Sequence, residues 1–131
     1  MIGLDTNILV RFFVQDDATQ ARHVDLLMQS LSPESPAFVT SAVLAELGWV
    51  LWRYGTDKAQ LCEHLNRLLN SPEIVVENEA AVRQAITRFA QEGGDFADRL
   101  IERICFLAGC ARTVTFDVKA TKTSGLELLR P

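Results

Sequence analysis

The apolar run at the N-terminus, Met1-Ile2-Gly3-Leu4, stops on a single aspartate, Asp5. After Thr6-Asn7 a second apolar run, Ile8-Leu9-Val10, begins. No other stretch constrains the chain so tightly. It reads as a buried strand over residues 2–5 that delivers Asp5 to its carboxyl end, with a helix over 7–14 taking over. A carboxylate there costs free energy unless it is paired, hydrogen-bonded or holding a cation. The rest of the chain has to supply what Asp5 needs.

The downstream pattern alternates. Asp16 or Asp17 can cap a helix over 18–31, whose Ala21, Val24, Leu27, Met28 and Leu31 keep helical spacing. Ser32-Pro33 ends it, and Ala37-Phe38-Val39 is a second strand. Ser41 has the character of an N-cap. Val43, Leu44, Leu47, Val50, Leu51 and Tyr54 recur at three and four over 42–54, and Gly55 suits the residue after a helix end. A helix over 57–69 follows, started by Thr56 or Asp57. Ile74-Val75-Val76 is a third strand. Asn78 can cap a helix through Ala81, Val82, Ala85, Ile86 and Phe89, which Gly93-Gly94 breaks, and another helix runs over 96–108. Residues 113–116 form a fourth strand that leads into Asp117, and 127–129 a short fifth. Such alternation predicts an α/β fold with a parallel sheet and helices on both faces. The helix pair 42–54 and 57–69, with no strand between its members, is expected to project as a hairpin.

Composition narrows the class. A length of 131 residues, 48% hydrophobic and 23% charged, suits a single globular domain over 1–131. No apolar run approaches the ~20 residues of a membrane span, and Asp5 interrupts any signal-peptide pattern, so a cytoplasmic location is expected. The odd count of cysteines, Cys62, Cys105 and Cys110, with no CxxC, argues against a disulfide scaffold or a zinc site. Cys62 and Cys105 read as small core residues, and Cys110 as exposed. The net charge of -4 at first opposes a nucleic-acid partner. Setting Asp5, Glu46, Asp95, Asp98 and Asp117 aside from the 17 acids leaves 12 against 13 Lys and Arg. The excess negative charge then belongs to one cleft, where a divalent ion would invert its sign toward phosphate.

These five acids carry the chemistry. Asp5 and Asp117 each follow an apolar strand, and ligands of open α/β sheets bind at such ends. Glu46 borders the apolar side of helix 42–54, and its plain reading is a surface glutamate covering the core edge. Asp95 and Asp98 can be an N-cap and an N3 residue favoured by the helix dipole; capping does not exclude a metal role. Converging carboxylates repel one another. Mg²⁺ or Mn²⁺, with oxygen ligands, relieves that repulsion and can serve phosphodiester hydrolysis. Thr6, Asn7 and Thr115 are candidates to orient the carboxylates.

Leu4-Asp5-Thr6-Asn7-Ile8-Leu9-Val10-Arg11, Ala45-Glu46-Leu47, Asp95-Phe96-Ala97-Asp98 and Thr115-Phe116-Asp117 together resemble the PIN-domain family. More narrowly, they are similar to the VapC-type ribonuclease toxins of toxin–antitoxin pairs. The resemblance implies a three-layer αβα sandwich with a short parallel sheet, Mg²⁺- or Mn²⁺-dependent endoribonuclease activity on RNA, homodimerisation and a partner antitoxin. Asp5, Glu46, Asp98 and Asp117 match the acidic quartet, and Asp95 an additional acid. Lys119 falls where a basic residue is often found. A PIN nuclease of RNA processing without an antitoxin, and a catalytically silent PIN binding module, are the alternatives. A phosphoacceptor receiver domain is disfavoured, because Glu77-Asn78 follows the third strand where the acceptor aspartate belongs.

Arg11 and Arg99 are candidates for RNA phosphate contacts, against the plain reading of solvated arginines. Trp49 and Trp52 lie on a helix apolar over more than one face, which marks a contact surface for a dimer or an antitoxin. His23 and His64 read as surface residues.

Overall fold

The computed structural model describes residues 1–130. The described chain divides into two compact units, one over residues 1–77 and the other from Asn78 onward.

The first unit holds a three-stranded parallel sheet in the order β1-β2-β3, with β1 Ile2–Gly3, β2 Ala37–Val39 and β3 Ile74–Val76. Its helices are α1 Thr6–Phe13, α2 Ala18–Ser30, α3 Ser41–Arg53 and α4 Lys58–Leu69. β1 is shorter than expected and is an edge strand: Ile2 is 44% exposed, and burial begins at Leu4. The middle strand is the closed one, with Ala37 and Val39 fully buried. Leu9 of α1, Leu44, Leu47 and Leu51 of α3, and Leu65 and Leu68 of α4 make the core. Their spacing of three and four is the sequence periodicity realised in packing.

Local chemistry sets the helix starts. Asp17 caps α2, and Asp57 forms a reciprocal capping box with Gln60 on α4. The cap of α3 is Thr40 rather than Ser41, and its Oγ1 accepts from the Val43 N–H at 3.1 Å. Ser41 is instead the first helical residue. Its N–H donates to Glu77 Oε1 at 2.9 Å, so the end of β3 clamps the start of α3.

The second unit pairs α5 Glu79–Glu92 with α6 Phe96–Leu107 and adds α7 Val118–Thr123. Its two-stranded parallel sheet joins β4 Val114–Thr115 to β5 Glu127–Leu128. Val82, Ala85, Phe89, Phe96 and Leu100 are buried, and the Phe89 and Phe96 rings meet edge-on, 5.9 Å between centroids. Helix α7 was not expected from the apolar pattern; Asp117 starts it as N-cap.

The α/β class and the parallel strands stand as expected, although the strands form two short sheets rather than one. No helix among the described residues is long and apolar enough to cross a membrane.

Candidate functional site

In the first unit the candidate residues follow the end of β1 and the start of α3. Asp5 N-caps α1, its Oδ1 accepting from the Thr6 N–H at 2.8 Å. Thr6 is buried, but Asp5 itself is exposed. The expectation of a buried carboxylate is corrected here: an edge strand of two residues leaves its end in solvent, and water and the cap bond meet the charge. Asn7 is also exposed on the first turn. Glu46 lies on α3 beside the buried Leu47 and Gly48 and is exposed.

In the second unit three acids are drawn into one electrostatic group. Asp95 N-caps α6, its Oδ1 accepting from the Asp98 N–H at 3.0 Å. Asp117 N-caps α7 through Oδ1 on the Ala120 N–H at 3.2 Å. Asp98 is half-buried on the first turn of α6. Burial first, then the negative charges of Asp95 and Asp117, push its carboxyl above the usual range. Like charges held in each other's field with partial desolvation are a mark of functional sites.

Two residues hold this group in place. Thr115 Oγ1 accepts from the Asp117 N–H at 3.0 Å, so the threonine fixes the backbone of Asp117 rather than its carboxylate. Gly94, at φ +87, precedes Asp95, and a Cβ on it would lie 2.7 Å from the Thr123 carbonyl oxygen and 2.9 Å from Ser124 Oγ. Only glycine lets the α5–α6 turn lie against the end of α7. The Gly93-Gly94 pair was legible in the sequence as a helix break; its contact with α7 was not.

The arginines depart from expectation. Arg99 is 4% exposed; its Nε donates to the Gly93 carbonyl at 2.9 Å and its Nη1 lies 3.4 Å from Glu92. It braces the α5–α6 turn, so its placement does not suit a phosphate contact. Arg11 is bonded to Gln20 at 2.6 Å, to Asp16 at 2.9 Å and to the Tyr54 hydroxyl at 3.5 Å, tying α1 to α2 and to the end of α3. Lys119 is exposed on α7. His64 is not a plain surface residue: it stacks on Phe13 at 4.2 Å, and burial lowers its pKa.

The donor chemistry suits a hard cation. Every candidate metal ligand is a carboxylate, and the caps on Asp5, Asp95 and Asp117 use Oδ1, so a second oxygen remains on each. Asp95, Asp98 and Asp117 are nonetheless not gathered into a cage. Among the described residues no group of three or more His, Cys, Asp or Glu stands ready to hold a metal ion.

The profile of the PIN domain matches residues 2–126, through both units and across all four stretches that hold these acids. The chain belongs to the PIN domain family. PIN domains are generally metal-dependent nucleases, usually with Mg²⁺ or Mn²⁺, and act on RNA. No curated protein and no solved structure gives a significant match.

Proposed function

We propose that this PIN domain, a single nuclease domain over 1–131, is a Mg²⁺- or Mn²⁺-dependent endoribonuclease. In this reading it is the VapC-type toxin of a type II toxin–antitoxin pair. The observation that supports it best is the carboxyl group of Asp98, destabilised by burial and by Asp95 and Asp117. A divalent cation would relieve that repulsion. The resemblance to the family assigns the ion to Asp5, Glu46, Asp98 and Asp117, with Asp95. When bound, it orients a phosphodiester, lowers the pKa of the attacking water and stabilises the leaving oxygen.

The chain's own residues supply position. Thr115 fixes the Asp117 backbone, Gly94 seats the turn before Asp95, and the cap bonds hold the Asp5, Asp95 and Asp117 carboxylates by one oxygen each. Trp49 and Trp52, 53% and 71% exposed on α3, are the surface assigned to a homodimer or an antitoxin. The protein acts in the cytoplasm in this reading.

One observation favours a second reading, a catalytically silent PIN binding module: no ready-made three-ligand group exists among the described residues. A single assay separates the two. RNA incubated with the protein and Mg²⁺ or Mn²⁺ is expected to be cut, and both EDTA and Asp98→Asn to reduce the rate at least ~100-fold, the scale for loss of electrostatic stabilisation in a site. Cleavage that persists in EDTA or in the variant removes the metal mechanism, and binding without cleavage supports the silent module.

A further inference from the structure

Helix α6 ends in a turn whose backbone hydrogen bonds link two cysteines. The Cys110 N–H donates to the Cys105 carbonyl at 3.0 Å, and the Gly109 N–H to the Phe106 carbonyl at 3.0 Å. With Ala108 as C-cap and Gly109 at φ +100, these are the two bonds of a Schellman motif. Cys105 then occupies the third position from the helix end and Cys110 the second position beyond the cap. A side-chain contact between those two places frequently accompanies such turns, usually as an apolar pair; here both residues are cysteines. From standard bond lengths, the bond from Cys110 to the Cys105 carbonyl keeps their Cα atoms within about 7 Å. Disulfides span Cα separations of roughly 4.4–6.8 Å. Cys110 is exposed and Cys105 half-buried, so an oxidant reaches the first and the second is the neighbour that can answer it.

We propose that Cys105 and Cys110 form a reversible intramolecular disulfide on exposure to a peroxide. The Cys110 thiolate attacks one peroxide oxygen, the O–O bond breaks, and a sulfenic acid forms as water or an alcohol leaves. The Cys105 sulfur then attacks the Cys110 sulfur, the S–O bond breaks and water leaves. Two thiols and one peroxide give one disulfide and two molecules of water, or one of water and one of alcohol. Two electrons pass from sulfur to the peroxide. The thiolate, not the thiol, is the nucleophile, so the reaction accelerates as pH rises. The bridge joins the last turn of α6 to the segment that runs into β4.

Cys62, on α4, is the internal control: it is half-buried, and burial pushes its thiol up. The full chain, reduced and freed of reductant, is treated with hydrogen peroxide and followed by denaturing thiol titration and intact mass. Free thiols should fall from three to one, with a mass loss of about 2 Da for two hydrogens, and dithiothreitol should restore all three. Cys110→Ser should abolish the mass loss. Gly109→Ala, which has space for a Cβ but an unfavourable φ, should slow bridge formation by at least roughly fivefold, the scale of the left-handed penalty. A covalent dimer, stepwise oxygen addition at Cys110 with Cys105 unmodified, or an unchanged rate in Gly109→Ala would each overturn the proposal.

Discussion

The two units treat the same residue type differently. In the first, Asp5 caps a helix from an exposed strand end, and Glu46 stands exposed on α3. In the second, Asp95 and Asp117 also cap helices, but they do so beside Asp98, which is partly withdrawn from water and feels both charges. An aspartate at a helix start is thus explained by backbone N–H groups alone in α1, α6 and α7. Asp98 is different: burial and its acidic neighbours oppose its charge, and only the dipole of α6 favours it. Helix capping recruits the acids, whereas packing selects the one held among like charges and partly out of water.

The largest effects should come from the cores on which both halves rest. Leu47, fully buried, and Leu100, 1% exposed, are the counterparts in the two units. Truncation of either to alanine should cost roughly 2–5 kcal/mol in chemical denaturation. Both tryptophans lie on α3, so their fluorescence follows Leu47→Ala, while circular dichroism is needed for Leu100→Ala. A loss below about 1 kcal/mol would show that the site in question is not closed.

Gly94→Ala should come next, at roughly 1–3 kcal/mol, because it combines a left-handed φ with a clash against a backbone carbonyl. It also sharpens the comparison. A displaced α5–α6 turn would separate Asp98 from Asp117, and the Asp98 carboxyl, titrated by NMR, should move down toward its ordinary range. An unchanged titration would mean that Gly94 does not position the acids.

The smallest effect is the most direct. The folded-state pKa of Asp98 lies above its unfolded value, so folding disfavours the charged form. Below the unfolded value both states are protonated and nothing is lost; destabilisation grows as pH rises through the folded value and is complete above it. Asp98→Asn should therefore raise stability at neutral pH by a few tenths of a kcal/mol, about the scale for a partly exposed charge. The gain should fade on acidification. The α6 dipole opposes this by about 0.3–1 kcal/mol for a negative charge in the first turn. An Asn variant less stable than the parent at neutral pH would show that the dipole outweighs burial and like-charge repulsion.

Much of this protein was legible along the chain. Leucine spacing on α3 and α4, glycine after helices and aspartate before them express local rules that act within one or two turns, and the helices lie close to where those rules put them. The α/β alternation and the acids at strand ends and helix starts were open to the same reading. What local rules do not carry is contact between segments distant in sequence. Thr40 and Ser41 are both good caps, and it took Glu77 at the end of β3 to fix Ser41 inside the helix. Arg99 reads as a solvated cation until packing buries it beneath the Gly93 carbonyl. Gly94 reads as a breaker until α7 lies against it. Asp5 shows the same division: its sequence determined a strand end, a helix cap and a carboxylate at their junction. Only tertiary structure decided that this strand is an edge, and hence that its carboxylate meets water instead of a buried core.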